Sequence, residues 1–243
     1  MQNIIRTLSS LFSHAIEDNL IIANPALRPG KFLPKISKRR SINPLTREEL
    51  ALFLAHTKAM APTLYPAFLC AARTGLRQGE LLALQWEDVN FAGRFVEIRR
   101  NFTHGKMTTP KSGESRRVDL SRELTATLET LQLNRQFEAA TRGWKEVPPW
   151  VFCNEQGQPL NQNRIRLKFF RLLKGAGVRQ VRFHDLRHSF ASLLLQNGES
   201  PVYVKDQMGH SSIQVTVDLY DHLIPGGNKQ AVDRLDTPEV QSI

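Results

Sequence analysis

This sequence is short of acids, nearly free of cysteine and without a long apolar run. Its 23 aspartates and glutamates stand against 33 lysines and arginines, a formal net charge of +10 over 243 residues. That imbalance points to a polyanion as partner, most simply nucleic acid, although basic surfaces also suit acidic membranes. The two cysteines, Cys70 and Cys153, lie in the apolar settings AFLCAAR and WVFCNEQ. They read as reduced, buried thiols of a cytosolic protein. No apolar run approaches the length of a membrane span. At the N-terminus Arg6, His14, Glu17 and Asp18 interrupt what a signal peptide would keep apolar. No carboxylate cluster suited to a pair of metal ions is visible, and no cofactor is called for.

What is present concentrates in the last third. Four of the seven histidines fall between His184 and His222. Asp185 to Gln196 reads as a helix, with Leu186, Phe190, Leu193 and Leu194 at helical spacing and Asn197-Gly198 as its stop. His184 and Arg187 share one face at its start, where free backbone amides favour an anion. Ser200-Pro201 predicts a second, short helix through Val204 and Gln207, ended by Gly209. Ser211 and Ser212 cap a third that carries Val215, Leu219 and Tyr220. A lone histidine at a helix start is ordinarily a capping residue, a lone arginine a surface partner and a lone tyrosine half-buried packing. Jointly, three short helices bring His184, Arg187, His210 and Tyr220 within reach of one another. His188, four residues after His184, raises the possibility of a zinc pair, but Leu186-Arg187 breaks the HExxH pattern and sets a cation beside the metal.

At the other end, residues 1 to about 23 show an amphipathic helix with Ile4, Ile5, Leu8, Leu11, Phe12, Ala15 and Ile16 on one face. One helix makes no core, which suggests a preceding domain outside this chain. After Asn24-Pro25 comes a proline-rich stretch bearing Arg28, Lys31, Lys35, Lys38, Arg39 and Arg40 without one acid. It reads as an extended linker able to track a phosphate backbone; a merely solvated charge run is the alternative. Thr46 to Glu49 is a capping box opening a helix. Two apolar helices joined at Thr74-Gly75 follow, with Arg77 and Glu80 where the second begins. Phe95 to Arg99 and Arg116 to Leu120 alternate as strands around a polar loop carrying Lys106 and Lys111. Ser121 caps a longer helix. A further helix around Ile165, Phe169 and Leu172 is striped by Arg164, Arg166, Lys168, Arg171 and Lys174, either a solvated face or a DNA contact. The class is α+β, mainly helical, with a small antiparallel sheet on one edge.

The segments RTGLRQGELLAL, TTPKSGESRRVDL, HDLRHSFASLLLQNG, MGHSS and TVDLYDH, in that order and spacing, resemble the catalytic domain of the tyrosine recombinases, the phage integrase family. The resemblance covers residues 41–225. It implies that residues 1–40 are the last helix of a core-binding domain plus its basic linker, and that residues 226–243 dock on a neighbouring protomer, a disordered tail being the alternative. It implies a site-specific recombinase that integrates or excises a phage or other mobile element, without metal or ATP. Tyr220 would attack a phosphodiester to give a 3′-phosphotyrosyl link. Arg77 and Arg187 would hold the non-bridging oxygens, Lys111 would protonate the leaving 5′-oxygen, His184 and His210 would assist in proton transfer and phosphate contact, and Glu80 would be the accessory acid. Lys31, Lys35, Lys38, Arg39, Arg40, Arg164 and Arg166 would touch DNA. The partners implied are double-stranded attachment sites, other protomers in a tetramer on DNA, and DNA-bending or directionality proteins. The setting implied is the cytoplasm and nucleoid of a bacterial host. A type IB topoisomerase shares the chemistry, but the compact spacing and MGHSS favour a recombinase; a non-catalytic DNA-binding relative would not need the full set of residues.

Overall fold

The computed structural model describes residues 2–27, 42–103, 105–109 and 115–220. The chain divides into two compact units, residues 1–41 and 42–243. In the first, helix α1 (Gln2–Glu17) follows the predicted amphipathic pattern and exposes Ile4, Leu8, Leu11 and Ile16. It ends sooner than the apolar spacing suggests. Asn19 takes a left-handed φ of 57°, and the Asn24 side chain folds back to donate to the Ser9 carbonyl at 2.8 Å.

The second unit runs α2 (Arg47–Met60), α3 (Tyr65–Thr74), α4 (Gln78–Leu82), β1 (Val89–Asn90), β2 (Phe95–Ile98), β3 (Asn101–Thr103), β4 (Lys106–Thr108), β5 (Arg116–Asp119), α5 (Arg122–Arg142), α6 (Gln162–Gly175), α7 (Asp185–Gln196), α8 (Pro201–Met208) and α9 (Ile213–Tyr220). The local signals operate as predicted. Thr46 and Glu49 form a reciprocal capping box on α2, and the Ser121 and Ser200 hydroxyls accept the first free amides of α5 and α8. The sheet is antiparallel in the order β1-β2-β5, with Val96 opposite Val118 and Ile98 opposite Arg116. Both β1 and the separate β3–β4 hairpin escape the sequence pattern. Their strands are two or three residues long and β4 is exposed throughout, so they carry no alternation to read.

Helix α3 is the axis of the core. Its residues from Ala67 to Ala72 are all buried, and α2, α5 and α7 pack around it. Phe53 meets both Phe68 and Phe169 edge to face, at 5.4 and 5.2 Å, which welds α2 and α6 to α3. Cys70 lies wholly inside, whereas Cys153 is half-buried rather than buried as its apolar neighbours suggest. A second, smaller cluster holds Phe190, Ala191, Leu195, Val204, Met208 and Tyr220. It stitches α9 to α7 and α8, so the packing that closes the fold also sets the tyrosine's place. Among the described residues no helix is long and apolar enough to cross a membrane.

Candidate active site

The site is assembled around one carboxylate and one helix end. Glu80, in the first turn of α4, is only 1% exposed through its side chain. It accepts from the backbone amide of Arg77 at 2.8 Å and from Arg77 Nη1 at 2.8 Å. Arg116, entering from β5, donates to both its oxygens, at 3.0 and 2.7 Å. Burial pushes the Glu80 acid up, but the bonds and charges of Arg116 and Arg77 outweigh it and hold the carboxyl down at about 2. Glu80 therefore stays ionised and fixes two guanidiniums at once.

The helix end is the C-terminus of α8, where Gly209 turns left-handed at φ 61°. Three successive carbonyls there each take a different arginine. Gln207 O accepts from Arg116 Nε at 3.3 Å, Met208 O from Arg187 Nη2, and Gly209 O from Arg77 Nη2 at 3.3 Å. The negative end of a helix is a favourable neighbour for cations. Arg187 is 3% exposed and also donates to the Gly75 carbonyl at 2.7 Å. Among the described residues it forms no ion pair with a carboxylate. Burial, then the charge of Arg77, pulls its pKa down to about 9, so it remains a cation near neutrality. Three arginines thus gather where only two are paired with a carboxylate, and the excess positive charge makes this an anion site.

The histidines complete it. His184 stands at the start of α7 and is exposed; partial desolvation and the charge of Arg187 lower its pKa. His210, just beyond Gly209, is half-buried and its Nδ1 lies 2.8 Å from Thr216 Oγ1. Burial and the charges of Arg187 and Arg77 bring it to about 3. Tyr220 is fully buried rather than half-buried, and burial raises its hydroxyl against the opposing charge of Arg187. The structure thus places Arg77, Glu80, His184, Arg187, His210 and Tyr220 in one electrostatically linked cluster. Lys111 lies outside the described residues, as do Lys31, Lys35, Lys38, Arg39, Arg40 and the tail from residue 221.

Two residues of the cluster are not among the predicted ones. Arg116 looks like one more charge in a basic hairpin, yet strand alternation puts it on the same side as buried Val118, and an arginine there needs an acid. The other is His188, whose spacing from His184 suggests only a metal ligand. Its Nδ1 instead lies 2.6 Å from Tyr220 Oη. Arg164, Arg166, Lys168, Arg171 and Lys174 are all exposed along α6. Arg166 donates to Gln78 Oε1 at 2.8 Å, which places it beside Arg77. Arg164 turns toward a separate cavity of about 890 Å³ between α5 and α6.

A helical domain with an edge sheet that gathers arginines, histidines and a tyrosine around an anion site is the tyrosine recombinase catalytic fold. The phage integrase family model matches residues 43–225, and the chain belongs to that family. It is 30% identical over 242 residues to the ICEBs1 integrase of Bacillus subtilis (strain 168), covering 97% of this chain and 65% of that protein. It is 27% identical over 249 residues to a tyrosine recombinase XerC-like protein of Caldanaerobacter subterraneus subsp. tengcongensis, covering 94% of this chain and 63% of the relative. The chain therefore spans slightly less than two thirds of the length of these relatives. The Tn1549 transposon integrase, solved in complex with a circular intermediate DNA, superposes with a TM-score of 0.74 at 23% identity over 96% of this chain and 79% of that one. The XerA recombinase gives 0.63 at 19% identity over 100% and 84%. Both share the fold.

Proposed function

We propose that this chain is a site-specific DNA recombinase that cleaves and rejoins strands through a 3′-phosphotyrosyl intermediate. The observation that carries the reading is the convergence of Arg77, Arg187, His184 and His210 with Tyr220 around an anion site whose cations outnumber its acids. A phosphodiester gains charge on its non-bridging oxygens as it becomes five-coordinate, and planar guanidinium forks match those oxygens. Glu80 orients Arg77 by taking both its amide and its guanidinium. Tyr220 Oη attacks phosphorus, the bond to the 5′-oxygen breaks, and Lys111 supplies the proton that oxygen needs. A 5′-hydroxyl of another strand reverses the step. The bond energy is kept in the phosphotyrosine, so ATP has no part.

The same reading assigns residues 1–40 to the end of a core-binding domain and its linker, residues 41–225 to the catalytic domain and residues 226–243 to a tail that docks on the next protomer. Lys31, Lys35, Lys38, Arg39, Arg40, Arg164 and Arg166 contact the duplex backbone, Arg166 from its position beside Gln78. Four protomers bring two attachment sites together, with DNA-bending or directionality proteins, in the cytoplasm and nucleoid of a bacterial host. The relative described as an integrase supports an integrating role, and the one described as a XerC-like tyrosine recombinase supports site-specific recombination.

The test is covalent trapping on a nicked duplex carrying the attachment site of the encoding element. The unaltered chain is expected to give a denaturant-resistant protein–DNA adduct, and Tyr220→Phe none. An adduct that survives in Tyr220→Phe, or no adduct from the unaltered chain, overturns the proposal.

A further inference from the structure

The resemblance leaves the proton of Tyr220 to His184 and His210. A tyrosine hydroxyl must lose its proton as it bonds to phosphorus, and the two histidines assigned to the site do not touch it. His210 bonds Thr216 at 2.8 Å, and His184 is in edge-to-face contact with the His188 ring at 5.0 Å. The group in contact with the nucleophilic atom is His188, whose Nδ1 is 2.6 Å from Tyr220 Oη. That is within the ordinary range for a hydroxyl hydrogen bond and at the short end of it.

We propose that His188 is a further catalytic residue, the base that receives the Tyr220 proton during strand cleavage and returns it during ligation. The inference rests on the strand-cleavage reading of the same site. The Oη–P bond forms as the P–O5′ bond breaks; the tyrosine proton passes to His188 Nδ1, and the proton on O5′ comes from Lys111. Ligation runs each transfer backwards, so protons and charge balance over the cycle with no outside reactant.

Three features of the fold fit the role. His188 sits one residue after Arg187, so the side chain that would hold the phosphate and the base that would take the proton ride on the same turn of α7. The ring is 9% exposed, and Tyr220 is fully buried among Phe190, Leu195, Val204 and Met208, which keeps water from competing for the proton. Burial, then the charge of His184, lowers His188 to about 4. It is therefore neutral, and in the tautomer protonated at Nε2 its Nδ1 accepts from the tyrosine hydroxyl. His184, Asp185 and Arg187 on or beside α7, Arg182 ahead of it, His210 after α8 and Tyr220 on α9 are the charged or titratable groups that face this ring. Only Asp185 among them favours its protonated form, and Asp185 is already engaged by Arg182 at 2.8 Å. A phosphate arriving at Arg187 adds a negative charge within a few ångströms, which raises the histidine toward a useful basicity when the substrate is present.

The experiment times adduct formation on the nicked attachment-site duplex and on a duplex whose scissile 5′-oxygen is replaced by sulfur. A thiolate leaves without a proton. Loss of a leaving-group acid, as in Lys111→Ala, is therefore rescued by sulfur, and loss of the base is not. His188→Asn keeps a hydrogen-bonding atom near Nδ1 without its basicity, and His188→Ala opens room for a free base. Both variants are expected to bind the duplex as the unaltered chain does and to form adduct about 10²-fold or more slowly on both substrates. Added imidazole should accelerate His188→Ala and not His188→Asn, and more basic imidazoles should accelerate it more.

Rates for both variants within about twofold of the unaltered chain, with Tyr220→Phe inert, would overturn this assignment and leave the strand-cleavage reading standing. Faster cleavage in His188→Ala would show that the contact only restrains the tyrosine, and recovery on the sulfur substrate would make His188 the acid instead. Slow variants that imidazole leaves unchanged would also count against the proton-transfer role. Absence of any adduct from the unaltered chain would remove the strand-cleavage reading, and this one with it.

Discussion

At the scale of single residues, Glu80 decides the geometry of the site. A carboxylate this buried persists as an ion because Arg77 and Arg116 both pair with it, and removing one member of such a set leaves uncompensated charge inside the protein. Glu80→Gln is expected to lower the unfolding free energy by about 3 to 5 kcal/mol and to slow adduct formation, because Arg77 then has only the Gly209 carbonyl to hold it. Urea denaturation checks the first effect, and a change below about 1 kcal/mol, the scale of a surface pair, would refute it. The residues legible in the sequence were those that only function explains, such as Arg77 beside a glycine turn or His210 after one. Arg116 was hidden because its ion-pair partner lies 36 positions away, across a fold the sequence does not display. His188 was hidden because a histidine four residues from another invites a metal reading, and its true partner lies 32 positions further on.

At the scale of elements, the short helix α8 works through its last turn. Its N-terminus was readable as Ser-Pro and its C-terminus as Gly, since both caps are local chemistry. That three consecutive carbonyls of that end would each receive an arginine from α4, β5 and α7 was not, because it depends on the docking of α8 on β5. There the Asp119 amide donates to Gln207 Oε1 at 2.8 Å and the Tyr203 hydroxyl to Asp119 Oδ2 at 2.8 Å. Gly209 is the point of greatest demand: φ is +61°, and a Cβ would lie 2.7 Å from Arg116 Cδ. Gly209→Ala therefore meets both backbone strain and a side chain tied to Glu80. It is expected to cost about 1 to 3 kcal/mol and to lower Tm by roughly 2 to 12 °C, with a loss of cleavage rate because all three arginines shift. A melting curve that moves by less than a degree would show that Arg116 yields freely and that the carbonyl fork is loose. The hairpin of β3 and β4 makes the opposite case. It is short, with β4 exposed and β3 only half-buried, so its strands are set by pairing, as between Phe102 and Met107, and by the packing of Phe102 on the core, and no local signal announces them.

At the scale of the whole molecule, acid acts most strongly on the buried cluster around Glu80. The stabilities contributed by Glu80, His188 and His210 share a sign, because each has a folded pKa below its ordinary value. The folded state then binds fewer protons than the unfolded one, and stability falls as pH falls. For His188 the window runs from 6.5, where the unfolded ring begins to charge, down to about 4, where the folded ring does. For His210 it runs from 6.5 to about 3, and for Glu80 from 4.5 to about 2. The chain should therefore hold its stability above about pH 7 and lose it in two overlapping stages, first the histidines and then the carboxylate. His188 alone accounts for on the order of 3 kcal/mol of that loss at 1.36 kcal/mol per pKa unit. Net charge acts in the same direction, since a chain already at +10 gains further positive charge as acids are neutralised. Denaturant titrations at pH 7.5, 5.5 and 4 give the curve. Replacing His188 with Asn should make the segment between 6.5 and 4 shallower, down to the share owed to His210, and leave the lower segment, owed to Glu80 and His210, in place. An anion held by Arg77 and Arg187 should move the whole acid limb to lower pH, because it raises the folded pKa of every histidine around it, and phosphate at fixed ionic strength tests this directly. Equal curves with phosphate and with chloride would mean that the surplus positive charge is spread over the surface and not gathered at the site.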